Sequence, residues 1–220
     1  MQQNIKDEVL DQLKLDIEFG FENEEELFAS IRDMFYAEEN FDEEWLREVI
    51  SEKYIQHQKE SLTWSRPTDF GKLANAFDEL IKEKIVCLHN AGYTKQDGEG
   101  DCAEVIEHLH RLGIQPIGYC YYHAQDLARA IDPQIRNLFI GFDSPTQNDT
   151  EVLEVAHKIV AKLKQNGFEV NWPGTVAQRI EIKNIIWQKT PDHDDWGAGR
   201  VIHIMSNQEN NGKKPFWKFW

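Results

Sequence analysis

Apolar residues recur every four positions at the start of the chain, where Ile5, Val9, Leu13 and Ile17 draw one stripe along a helix. Gly20, between Phe19 and Phe21, ends that helix. Asn23 then precedes Glu24, Glu25 and Glu26, a capped start with carboxylates at the positive end of the helix dipole. Leu27, Ile31, Met34 and Phe35 supply the buried face of this second helix. Asp42 caps a third, which turns Trp45, Val49, Ile50 and Tyr54 inward and ends near Ser61. The segment TWSRPT, with Pro67, reads as a boundary.

Past Pro67 helical and alternating patterns take turns. Helices are expected over 69–83, 101–112 and 149–166, with a short one in AQDLARAID. Strands are expected near 85–89, 115–122, 137–142, 168–172 and 178–187, and RVIHIM reads as one more. The fold class is therefore α+β, a helical N-terminal segment followed by an α/β sandwich. A ferredoxin-like topology is the expected form, and a small three-layer parallel sheet is its competitor. Three regions follow: an acidic helical segment over 1–66, an α/β domain over 67–205, and a linker with a basic-aromatic tail over 206–220.

Charge changes the picture more than composition does. The net charge is −15, and residues 1–66 carry 18 acids against 7 bases. Such a field repels phosphates, so nucleic acid is not an expected partner, whereas a basic protein is. No apolar run reaches the ~18–20 residues of a membrane span, and the start MQQNIKDEVLDQL has no secretory pattern. The three cysteines, Cys87, Cys102 and Cys120, form neither a CxxC pair nor a disulfide framework, which points to a reducing cytoplasm. The tail GKKPFWKFW interleaves lysines with Phe216, Trp217, Phe219 and Trp220. It reads either as a docking element, for a partner groove or a membrane surface, or as a segment folded back on its own domain.

The stretch HNAGYTKQDGEGD is the most site-like, a polar loop leaving a strand and entering a helix, with Tyr93 and Asp97 as candidates. It lacks the phosphate-loop and dinucleotide patterns. Asp97, Glu99 and Asp101 alternate like calcium ligands, but Cys102 stands where the glycine of such a loop belongs. A turn leading into a helix cap is the plainer account. Tyr122, His123 and Asp126 form a second candidate: a histidine beside a carboxylate suits a general base, and equally a helix cap. Arg179 could pair with an anion or with one of the many acids. No ligand set has metal spacing, so neither a metal nor a cofactor is expected.

As a set, WSRPTDFGKLANAF, IVCLHNAGYTKQDG, YCYYHAQDLARAID, LFIGF and FEVNWPGTVAQRIEI resemble a family of bacterial domains of unknown function, over roughly residues 5–188. The resemblance implies no reaction. It implies no metal site either, since this chain has HNAGYTKQDG where some members carry cysteines. The expected function is a non-catalytic intracellular protein-binding protein, of the inhibitor or immunity type, that neutralises a basic partner. The alternative is a hydrolase or transferase acting on a small molecule between the 90–101 loop and the 120–126 segment.

Overall fold

A computed structural model describes residues 1–212, with side chains as far as Gln208. The residues of the aromatic tail, Phe216, Trp217, Phe219 and Trp220, lie outside the described residues. The chain divides into two compact units, 1–71 with 186–193 and 72–185 with 194–220.

The first unit is helical. Helices α1 (Gln3–Phe19), α2 (Glu24–Met34) and α3 (Glu43–Ser61) converge on Val9, Leu13, Ile17, Leu27, Ile31, Leu46 and Ile50, all buried. Trp45, Val49 and Tyr54 pack around that cluster half-buried. Gly20 takes the left-handed conformation that stops α1, at φ 74°. A Cβ there would stand 2.3 Å from the Lys189 carbonyl oxygen, so only glycine lets that segment pass. Asn23 and Glu26 form a reciprocal capping box on α2, and Asp42 caps α3. Met34, expected in the core, is exposed instead: it is the last residue of α2 and stands outside the cluster on which the three helices converge. Residues 186–193 also belong to this unit. The Trp187 indole donates to the Phe19 carbonyl, and the ring packs with Phe21 and Phe70. The Lys189 ammonium lies over Phe21 and Phe70, and its carbonyl bonds the His57 ring. The strand expected over 178–187 is thus shorter, because from Ile186 onward the chain serves a different core.

The second unit is α/β. Helix α4 (Asp69–Lys82) crosses the boundary between the units. The order continues β1 (Ile85–Leu88), α5 (Lys95–Arg111), β2 (Gly118–Tyr121), α6 (Ala124–Ile131) and β3 (Leu138–Asp143). It ends with α7 (Asp149–Gln165), β4 (Glu169–Asn171), β5 (Ile180–Lys183) and α8 (Ala198–Gly212). The sheet order is β1-β2-β3-β5-β4; β1 and β2 pair in parallel and every other pair is antiparallel.

The α+β class stands, with N-terminal helices preceding a mixed sheet. The ferredoxin-like order does not form: β1 and β2 are direct parallel neighbours, where a split β-α-β unit keeps another strand between them. Nor is the sheet all parallel. RVIHIM is not a strand but the first turns of α8. Its buried residues, Val201 and Met205, stand four apart, a helical spacing, and Arg200 forms a fork with Asp78. Helix α5 begins at Lys95, six residues earlier than its apolar pattern shows, so half of the expected loop is helix.

Val155 of α7 packs against Gly118, so Ile140, Ile180 and Ile182 share the α7 face of the sheet with Cys120. Tyr121, Phe139 and Glu181 point to the opposite face, where α5 covers β1 and β2.

Candidate functional site

The end of the parallel pair β1–β2 is held together by two backbone bonds beyond the strands, Ala91 N–H to the Tyr122 carbonyl and Ala124 N–H to the Gly92 carbonyl. These bring the 89–94 and 122–126 segments side by side. Thr94 caps α5: its hydroxyl accepts from the Asp97 N–H, and the Asp97 carboxylate accepts from the Thr94 N–H at 2.8 Å and from its hydroxyl at 2.9 Å. Those bonds, helped by the nearby Tyr93 N–H and His123, hold the Asp97 carboxyl below its ordinary range. Asp97 is therefore a capping residue that shares its electrostatic surroundings with His123. Tyr93 is exposed and contributes only its N–H.

His123 caps α6 in the same manner. Its Nδ1 accepts from the Asp126 N–H at 3.3 Å, so the ring proton sits on Nε2, which donates to Asp126 Oδ2 at 3.0 Å. Burial pushes the His123 pKa down, the Asp126 carboxylate opposes this, and Arg179 and Arg129 add to the lowering. With both nitrogens engaged by Asp126, the ring serves as a cap and an orienting group.

Asp126 is fully buried and is the centre of the arrangement. Arg179 Nη1 reaches both its oxygens, at 3.0 and 2.8 Å, and Arg129 Nη1 reaches Oδ1 at 3.1 Å. Arg179 stands just before β5, and its guanidinium also lies 5.1 Å from the Phe139 ring centre on β3. One buried carboxylate thus fixes two partly exposed guanidiniums, each through a single nitrogen. A recess of about 260 Å³ opens beside them, lined by Phe139, Asn171, Pro173, Gln178, Arg179 and Glu181.

Tyr122 does not join this group. It is wholly buried on the other side of the strand end, its hydroxyl 2.9 Å from His89 Nδ1 and its ring near Phe77. Burial raises its pKa far above the ordinary value. His89 and Asn90 border a larger cavity, about 580 Å³, between α5 and the start of α8. Asp101, Glu104, Glu107, His108 and Arg111 of α5 line its wall, but none of Tyr93, Asp97, Tyr122, His123, Asp126 or Arg179 does. Backbone and capping bonds thus join the 90–101 and 120–126 segments; the larger cavity takes Asn90, Ala91 and Asp101 from the first of them, and the recess takes Arg179.

The thiols are inert by placement. Cys87 and Cys120 face each other across β1 and β2 with sulfurs 3.4 Å apart, Cys102 is fully buried, and burial pushes the Cys87 and Cys102 thiols well above their ordinary range. Among the described residues no three His, Cys, Asp or Glu side chains gather as a metal site.

The family model described as Domain of unknown function (DUF6891) matches residues 2–191, most of the chain and both of its units. The chain belongs to DUF6891. No curated protein and no solved structure matches it. The DUF6891 match takes in the 186–193 segment almost to its end, as well as Asp126, Arg179 and the recess, while α8 lies beyond it.

Sequence reasoning paired His123 with Asp126 from their spacing but missed Arg129, whose signal was its position three residues after Asp126 on one helix face. It also missed Phe139 and Glu181. Their signal is the alternation of LFIGF against RIEIK, which sets Phe139 and Glu181 opposite each other on the face away from the buried isoleucines.

Proposed function

We propose that this protein acts by non-catalytic binding of a basic protein partner, in an inhibitor or immunity-type role inside the cell, and that the helical unit is the surface that makes the contact. The observation that carries this reading is the outer face of α3. Glu44, Glu48, Ile55 and Leu62 follow one another at spacings of four and seven, all exposed, Leu62 at 85% and Ile55 at 45%. Glu52 and Lys59 flank them. An acidic row leading into two exposed aliphatic side chains fits a partner helix with lysines at one end and apolar anchors at the other.

The whole unit reinforces the match, since its residues hold 20 acids against 8 bases, leaving the α/β unit near neutral. An acidic surface of this kind speeds encounter with a basic partner, and the steering fades as salt rises. The engaged nitrogens of His123 and the buried thiols favour binding over catalysis as the role of this chain. Three free cysteines fit a reducing cytoplasm. The described helices include none long and apolar enough to cross a membrane.

The test uses a synthetic amphipathic helix with lysines and two leucines seven residues apart, beside a scrambled peptide of the same composition. Binding of the patterned peptide should weaken steeply between 50 and 300 mM salt, and Leu62→Asp should hasten its dissociation. Equal binding of the scrambled peptide, or full binding by Leu62→Asp, would remove this surface from consideration.

A further inference from the structure

The recess beside Arg179 holds two opposite charges that do not meet. Arg179 and Glu181 stand two residues apart on one face of β5, and both line the same 260 Å³ volume. Each is instead turned to other partners. The Arg179 Nη1 is committed to Asp126, and among the described residues its Nε and Nη2 have no acceptor. Glu181 accepts one N–H on each oxygen, from Asn137 at 2.7 Å and from Asn171 at 2.8 Å. A carboxylate has about four acceptor positions, so two stay available. Phe139 is the register partner of Glu181 and lies under the guanidinium, so an aromatic floor runs beneath both charges.

These groups are oriented before any ligand arrives. Asp126 is fully buried, takes a further bond from the His123 ring, and fixes the Arg179 guanidinium by one nitrogen. The fork geometry that matches a carboxylate is presented by the other edge. The two asparagines do the same for Glu181. A ligand that carried only an anion would satisfy Arg179 and be repelled by Glu181, and a simple cation would meet the reverse.

We propose that this recess binds a small zwitterion, with its carboxylate on the free edge of Arg179, its ammonium on Glu181, and its carbon skeleton against Phe139 and Pro173. An α-amino acid has that arrangement, its two charged groups separated by one carbon atom. A volume of about 260 Å³ accommodates an amino acid. The site is separate from the α3 face, and its occupancy is independent of the protein-binding reading.

The experiment is a titration of the full chain with each of the twenty L-amino acids, followed by the side-chain resonances of Phe139 and Arg179. At least one should give saturable shifts with a Kd below ~1 mM. For that amino acid the N-acetyl derivative, which keeps only the carboxylate, and the carboxamide, which keeps only the ammonium, should each bind at least tenfold more weakly. Glu181→Gln should lower the affinity of the amino acid tenfold or more and bring it close to that of its N-acetyl form, because the ammonium then has no partner. Arg179→Lys, which removes the fork, should bring the amino acid close to its carboxamide instead; if it does not fold, Glu181→Gln decides alone. Absence of saturable shifts with all twenty, or a capped derivative binding as well as the zwitterion, overturns the proposal.

Discussion

Two glycines on one helix should respond to the same substitution with opposite signs. Gly98 and Gly100 both lie inside α5, where alanine is intrinsically better than glycine by ~1 kcal/mol. At Gly100 nothing stands within 4 Å of the added Cβ, so Gly100→Ala should stabilise the α/β unit by about that amount. At Gly98 the Cβ would fall 2.4 and 2.5 Å from Tyr121 Cδ2 and Cε2, more than 1 Å inside ordinary carbon contact. Tyr121 has nowhere to retreat. Its ring already lies so close to Gly141 on β3 that a Cβ there would sit 2.7 Å from Cζ, and its hydroxyl is held by the Lys95 carbonyl at 3.2 Å. Overpacking of this kind costs ~1–3 kcal/mol, with the upper end expected where both sides are blocked. Gly98→Ala should therefore destabilise by about 2 kcal/mol net, a contrast of about 3 kcal/mol between neighbouring sites. Urea unfolding followed by far-ultraviolet circular dichroism measures both. Tyr121→Leu in the Gly98→Ala background should recover part of the loss, since the smaller side chain vacates the contact. Midpoints that shift the same way for both glycines would refute the clamp on Tyr121.

Two further outcomes follow from buried charge. Glu22 is pushed up to about 7, first by burial and then by Asp16 and Glu26, and Glu22 Oε2 and Asp16 Oδ2 are both buried with no hydrogen-bond donor. The folded unit thus keeps a proton that the unfolded chain releases near 4.5, so stability falls as pH rises from about 4.5 to about 7 and then levels. Taken whole, the rise is worth ~3 kcal/mol, and solvent screening of a partly exposed group reduces it to about 1. Glu22→Gln should stabilise the protein by that amount at pH 8 and leave it unchanged at pH 4; equal effects at both would contradict the assignment. Asp126→Ala strips the acceptor from two guanidiniums and from the His123 N–H; because both arginines can turn to water, the loss should be near the low end of a broken buried pair, about 3 kcal/mol in chemical denaturation. A loss below ~0.5 kcal/mol would show that the carboxylate does not organise the cluster.

The three N-terminal helices were legible nearly to the residue because local signals agree there. The four-residue stripe in α1, Gly20 after it, and the caps Asn23 and Asp42 all describe the same boundaries. Helix α5 was legible only from Asp101 onward, since Gly98 and Gly100 lower its helical signal and Gly98 serves a tertiary need that no local pattern records. In α8 the run VIHIM satisfies both a period of two and a spacing of four, and the length of the helix decides between them. Sheet order was not legible at all: insertion of β5 between β3 and β4 depends on long-range pairing. The same limit applied to the site. His123 and Asp126 are three residues apart and were found together, whereas Arg179 reaches Asp126 from 53 residues away.

The strap of residues 186–193 sets an order of events during synthesis. The three helices of the first unit leave the ribosome early, yet the segment that supplies Trp187 and Lys189 is complete only 122 residues after Gly71. At ~5–20 residues per second, that gap lasts roughly 6–24 s. Throughout it, Phe21 and Phe70 wait without the indole that packs on them, while the α/β strands emerge and pair. A nascent chain arrested near residue 150 should therefore expose these rings to a chaperone or protease that the finished protein resists. Excising residues 1–71 as an independent domain would make that transient state permanent.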